Sequence, residues 1–131
     1  MNVIRLALGC LGLAVVWLAE ASAEEKLPAG LFKPWIHSRE EDKEGIQVYR
    51  PEGYDFPPAR GRAGFEIRKG GEFIDRPIAP ADGNEEIPGR WEVVSPGKIR
   101  VTFPKSPDRK AFTLEIISCD GKVLKVKQVY E

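Results

Sequence analysis

The chain carries a single histidine, His37, and it opens the run His37-Ser38-Arg39-Glu40-Glu41-Asp42. A base beside a hydroxyl invites a nucleophilic reading, but that chemistry needs its partners facing each other across space. Neighbours on an extended strand point to opposite faces: a continued strand would group His37, Arg39 and Glu41 on one side and Ser38, Glu40 and Asp42 on the other. Neither a Gly-x-Ser-x-Gly turn nor a second histidine accompanies them, so the expectation is a protein that is not an enzyme. A cation could be held by His37 with Glu41, or by the oxygens of Glu40, Asp42 and Glu44. Calcium takes about six to eight oxygens from a defined loop, and zinc about three or four ligands drawn mostly from His and Cys. The spacing matches neither, so the run reads as a solvated acidic turn, with no metal and no cofactor expected.

Two further groups have chemical potential. Arg60-Gly61-Arg62 offers two forked guanidiniums that could clamp a carboxylate or phosphate. The internal reading is favoured: they pair with Glu40, Glu41 or Asp42 and latch the loop that carries them. Tyr49, Tyr54, Phe56 and Trp35 are aromatics outside the regular core pattern. Facing outward, Tyr54 and Phe56 would make a contact patch; facing inward, the favoured reading, they would plug a barrel mouth. A binding site or loop latch is therefore expected among His37, Arg39, Glu41, Tyr49, Tyr54, Phe56, Arg60 and Arg62. Cys119 follows the apolar Ile116-Ile117 pair and precedes Asp120-Gly121, and reads as a small half-buried residue at a strand end.

These residues need a scaffold, and the start of the chain gives its address. Met1 to Ala23 has the form of a secretory signal peptide: Arg5, an apolar run from Leu6 to Leu18, then Ala21-Ser22-Ala23 as a small-residue cleavage site. Cleavage after Ala23, a periplasmic or secreted location and no membrane span are expected, because the apolar run falls short of the roughly 20 residues that cross a bilayer. About 108 residues remain, enough for one domain with one core: an extended tail over 24–34, then a domain over 35–131. With 20 basic and 20 acidic residues in the whole chain, the charge balance argues against a nucleic-acid partner. Cys10 leaves with the signal, so Cys119 has no intramolecular disulfide partner.

Glycine and proline punctuate the rest, and no long segment repeats every 3.6 residues, so the class is all-β. Strands are expected over 36–39, 46–50, 64–68, 72–76, 90–94, 99–103, 112–118 and 123–130. In the hairpin around Ser95-Pro96-Gly97, Ile99, Val101 and Phe103 alternate with Lys98, Arg100 and Thr102, the mark of a half-buried strand. Pro96-Gly97 suits a type II turn, Asp120-Gly121 a type I′ turn, and Lys69-Gly70-Gly71 a third hairpin. Trp91, Phe65 and Phe103 are the expected core anchors, with Gly89 admitting the Trp91 ring or another backbone. Three longer loops cover 40–45, 51–63 and 77–88. Eight short antiparallel strands remove their edges by closing into an up-and-down barrel; the alternative is a two-sheet sandwich.

The strands Gly64-Phe65-Glu66-Ile67-Arg68-Lys69-Gly70-Gly71-Glu72-Phe73, Gly89-Arg90-Trp91, Lys98-Ile99-Arg100-Val101, Leu114-Glu115-Ile116 and Leu124-Lys125-Val126 together resemble the small secreted bacterial lipocalin-like domains. The resemblance covers roughly residues 64–130 and implies a short barrel that works by binding; it assigns no ligand residue. The expected partner is a small apolar or amphipathic ligand held by a monomeric barrel. The alternative is a protein-interaction module, such as a periplasmic protease inhibitor, using the tail or the Tyr54–Pro58 loop. A small hydrolase or metal site centred on His37 is the remote third.

Overall fold

The computed structural model describes residues 26–78 and 85–131. The signal sequence and residues 79–84 of the loop expected over 77–88 lie outside the described residues. Eight antiparallel strands close into a barrel: β1 (Pro34–His37), β2 (Gln47–Arg50), β3 (Gly64–Arg68), β4 (Glu72–Arg76), β5 (Ile87–Ser95), β6 (Lys98–Thr102), β7 (Phe112–Cys119) and β8 (Leu124–Tyr130). The only helical elements among the described residues are two single 3-10 turns, Ala29–Leu31 and Arg39–Glu41.

From β3 to β8 the strands neighbour one another in chain order, and β2 closes on β8. The order departs from sequence at one place, where β1 stands between β2 and β3. Ile36 faces Arg50 on one side and Gly64 on the other. Residues 51–63 therefore join two strands that run the same way on either side of β1, and they must cross over it. Because the interior is filled, the crossing runs outside, and Phe56, Pro57 and Arg62 line a surface recess with Pro34, Trp35 and Ile36. This segment is a strap on the outer wall.

Side chains fill the barrel. Phe73, Ile99, Val101, Leu114, Leu124 and Val126 have no exposed surface, and Phe65, Trp91 and Phe103 are at most 6% exposed. Ring contacts run across the interior from Tyr49 to Phe65 (4.5 Å), Phe65 to Phe73 (5.4 Å) and Phe73 to Phe112 (5.9 Å), and lead out from Phe112 to the exposed Tyr130 (5.5 Å). Separations of that size suit offset and edge-on aromatic pairs, and eight strands leave an interior that side chains can just fill.

The described part of the N-terminal segment does not trail from the barrel, as an extended tail would. Leu27 and Leu31 belong to the core cluster, and Leu31 accepts a hydrogen bond at its carbonyl from Trp35 Nε1 (2.9 Å). The segment plugs the end from which β1, β4, β6 and β8 rise, here the lower end. Lys33 Nζ donates to the Gly121 carbonyl (2.8 Å). A methyl group on Gly30 would sit 2.7 Å from the Gly121 Cα, so plug and turn touch backbone to backbone.

Turn chemistry departs from expectation at Asp120-Gly121. Only Gly121 has positive φ, and Asp120 Oδ1 instead accepts from the backbone N–H groups of Lys122 (2.8 Å) and Val123 (2.9 Å). This is an Asx-type turn, which the short aspartate side chain favours over a two-residue reversal. Two successive positive φ values occur at Glu44 (56°) and Gly45 (79°), closed by reciprocal Lys43–Ile46 backbone bonds of 3.1 and 2.9 Å. Gly97 does take the positive φ of the Pro-Gly turn (73°).

Gly89 admits another backbone, that of Thr102, and the ring beside it is Phe103 instead of Trp91: a Cβ there would lie 2.7 Å from the Thr102 carbonyl oxygen and 2.9 Å from Phe103 Cδ1. Neither neighbour can retreat, since one is strand backbone and the other is held in the core. Gly89→Ala is expected to lower unfolding stability by about 3 kcal/mol, as overpacking does in a filled core. Denaturant titration of the two proteins side by side checks it.

Candidate functional site

The residues singled out for their chemistry do gather, at the upper end of β1 and β2 and along the strap, but they bond to one another. Strand β1 ends at His37, and residues 39–41 turn instead of continuing as strand. The turn carries Asp42 back beside the histidine. His37 Nε2 donates to Asp42 Oδ2 (2.8 Å), while Asp42 Oδ1 accepts from the Val48 N–H (2.9 Å). The imidazole stacks on Tyr49 with ring centres 4.9 Å apart. Ser38 is 1% exposed, and its hydroxyl donates to Glu41 Oε2 (2.7 Å), away from the histidine. Among the described residues no nucleophilic side chain is hydrogen-bonded to His37, so the Asp42–His37 pair orients a ring without a hydroxyl or thiol to activate.

The two neighbouring carboxylates receive forked guanidiniums. Arg50 binds Glu41 through Nε and Nη2 (2.8 and 2.7 Å), and Arg62 binds Glu40 through Nη1 and Nη2 (2.7 and 2.6 Å). Arg62 also donates to the Pro57 carbonyl (2.7 Å), which fastens the strap to the turn after β1. The same guanidiniums lie over the strap aromatics, Arg50 4.6 Å from the Tyr54 ring centre and Arg62 4.7 Å from that of Phe56. Tyr54 and Phe56 do not plug a mouth, because the strap that carries them passes over the outer wall. Arg39 and Arg60 are exposed, and among the described residues neither joins an ion pair. Glu41 bonds to Ser38 and Arg50, so His37 and Glu41 do not form the pair that a shared strand face would give. Among the described residues, no group of three or more His, Cys, Asp and Glu side chains could hold a metal ion.

A further ion pair lies at the upper mouth. Asp75 sits on the inward face of β4 opposite Phe65, and Arg109 from the loop after β6 binds it while lying over the Phe103 ring. Burial pushes the Asp75 carboxyl up despite Arg109, and burial likewise raises Tyr49. Sequence pattern carried a signal for this pair, since a charge following Phe73 at inward spacing needs a partner.

An apolar concavity lies elsewhere. At the lower end, Leu27 and Pro28 of the plug, Val93, Val94 and Pro96 around the β5–β6 turn, and Ile116, Ile117 and Cys119 of β7 line a groove of about 490 Å³. A bulge in β7 between Ile116 and Ser118 breaks the alternation there, which explains how consecutive isoleucines can serve different environments. Ile116 packs against the core, whereas Ile117 is 42% exposed and Val94 50%. The Ile116-Ile117 pair in an alternating strand was the signal for this groove. Cys119 is half-buried, and burial raises its thiol pKa, so it is a poor nucleophile.

The paired carboxylates predict a pH dependence. The Arg62 hydrogen bonds hold Glu40, and those from Arg50 and then Ser38 hold Glu41, each at about 2 against an ordinary 4.5. With the folded value below the unfolded one, the stability these groups contribute is full above about pH 4.5 and is lost as pH falls toward 2. Thermal midpoints are expected to fall less steeply across that window in Glu41→Gln than in the wild type. Parallel curves would mean that the Arg50–Glu41 pair adds nothing to stability.

No protein-family model matches this chain, and no curated protein or solved structure matches it.

Proposed function

We propose that the protein is an extracytoplasmic binding module without a catalytic centre, and that it engages an apolar segment of a protein partner in the lower groove instead of carrying a ligand inside the barrel. The observation that carries this reading is the filled interior: Phe73, Leu114, Leu124 and Val126 have no exposed surface and occupy the space a carrier would keep open. The groove of about 490 Å³ falls within the roughly 300–1,000 Å³ of ordinary binding sites. Its lining argues for a protein occupant, since the branched side chains of Val94 and Ile117 remain half exposed at the groove, and an extended segment covers both at once. A second reading, a small amphipathic ligand with an anionic head, is favoured by Lys26 beside the apolar lining.

Cys119 lines this groove and reports on its occupancy. In a chain with Cys10 replaced by serine, a true occupant is expected to slow the reaction of Cys119 with a thiol reagent. Ile117→Glu is expected to abolish both binding and protection while leaving the melting profile near wild type, because the side chain is already exposed. Native mass spectrometry of protein from its own host separates the occupants, a small-molecule mass favouring the second reading. An occupant whose binding is indifferent to Ile117→Glu and Val94→Glu would overturn both.

A further inference from the structure

The barrel is closed, but its closure is uneven. Strand β8 has seven residues and β2 four, and their pairing stops at Gln47 opposite Val126. Above that point no strand of the described residues neighbours the β2 side of β8. Which backbone groups are open follows from the other side. The Glu131 N–H donates to the Ala111 carbonyl (3.1 Å), with Thr113 facing Val129 and Phe112 facing Tyr130. In an antiparallel pair the backbone groups of successive residues alternate between the two sides. Lys127, Val129 and Glu131 therefore turn theirs toward β7, while Gln128 and Tyr130 turn theirs toward the vacant side. Among the described residues no backbone hydrogen bond reaches Gln128 or Tyr130 from there. Val129 and Tyr130 are also the most exposed large apolar side chains of the described chain, at 61% and 62%.

The sequence of this edge, Lys127-Gln128-Val129-Tyr130-Glu131, is complementary to itself when reversed. We infer that β8 pairs antiparallel with β8 of a second copy of this chain, about a two-fold axis through Val129. In that register Gln128 and Tyr130 of one copy face Tyr130 and Gln128 of the other, so the four open residues form the hydrogen-bonded pairs that their outward N–H and C=O groups require. Val129 meets Val129 across the axis in a non-hydrogen-bonded pair, where side chains approach most closely. Lys127 of each copy faces Glu131 of the other. Glu131 already binds Arg100 through both oxygens (2.7 and 3.0 Å), so the partner lysine joins an ion pair that is held in place. Sliding the register by two residues toward either end leaves one hydrogen-bonded pair of open residues instead of two, because Val126 is already engaged by Gln47, and sets Val129 against Lys127 or Glu131. Charge and apolar matching thus select the central register, and the isologous contact closes at two copies.

Sedimentation velocity of the wild type from about 1 µM to about 1 mM, the range over which a weak interface dissociates, is expected to show a monomer passing into a dimer. Gln128→Pro removes an N–H that points only toward the vacant side, so it spares the β7 ladder and abolishes the dimer. Lys127→Glu opposes like charges twice across the axis and is expected to weaken association about tenfold or more. Adding Glu131→Lys to Lys127→Glu restores opposite charges across the axis and should recover much of the loss, with near-ultraviolet circular dichroism checking that each variant is folded. A wild type that stays monomeric throughout the range overturns the inference. So does a dimer that both Gln128→Pro and Lys127→Glu leave intact. If Gln128→Pro fails to fold, Lys127→Glu and its charge-swapped double decide.

Discussion

Strand β1 is four residues long, yet the closure of the barrel runs through it. It bonds to β2 on one side and to β3 on the other, and without it the meander from β3 to β8 would be an open sheet with two edges. A strand this short contributes few ladder hydrogen bonds, so its position rests on what holds its ends and faces. Below, Leu31 and Trp35 are buried together and joined by an indole hydrogen bond. Above, the turn that follows β1 folds back so that Asp42 ties His37 to the backbone of Val48. On the outside the strap crosses it, fixed through Arg62 to Glu40. Plug, turn and strap are three consequences of inserting one strand out of chain order.

That constraint explains why the residues with the most chemical promise have little freedom to react. His37, Ser38, Glu40, Glu41 and Asp42 lie within six positions, and each is engaged by a partner that also braces β1 or the strap. Each carboxylate of the Arg50–Glu41 and Arg62–Glu40 pairs accepts two N–H bonds, the geometry in which an exposed ion pair has most chance of contributing. Exposed pairs remain weak singly, and here their effect is to position more than to stabilise. Arg62 is the clearest case, since its guanidinium reaches a carboxylate, a strap carbonyl and an aromatic face together.

The strands were readable because their pattern is local. Ile99, Val101, Leu114, Leu124 and Val126 alternate with charged or polar residues, and period-two alternation with turn residues between runs specifies half-buried antiparallel strands. The place of β1 was not readable, because which strand a short segment joins is decided by long-range closure. The length of residues 51–63 held the clue: too long for a hairpin, it suits a crossing over one strand. The latch between this loop and the acidic run was legible in kind from Arg62 and Glu40, whereas Arg50 as the partner of Glu41 depended on the register of β1 with β2. The groove escaped notice because a β-bulge has no sequence signature beyond the doubled isoleucine at its edge.

On the function proposed above, a barrel filled by its own side chains binds at its surface, and the two surfaces argued for lie at opposite ends of the β7–β8 hairpin. On β7 the groove is lined by Ile116, Ile117 and Cys119 at the lower end, while the upper end, from Phe112 to Leu114, backs the part of β8 whose far edge is open. Pairing through that edge therefore leaves both grooves accessible. Two grooves related by a two-fold axis can engage two segments of one partner, and once the first is bound the second binds at an effective concentration set by the linkage. A groove of modest apolar area could in this way hold a repetitive or dimeric partner more firmly than its own contacts allow, which gives the uneven closure of the barrel a functional consequence.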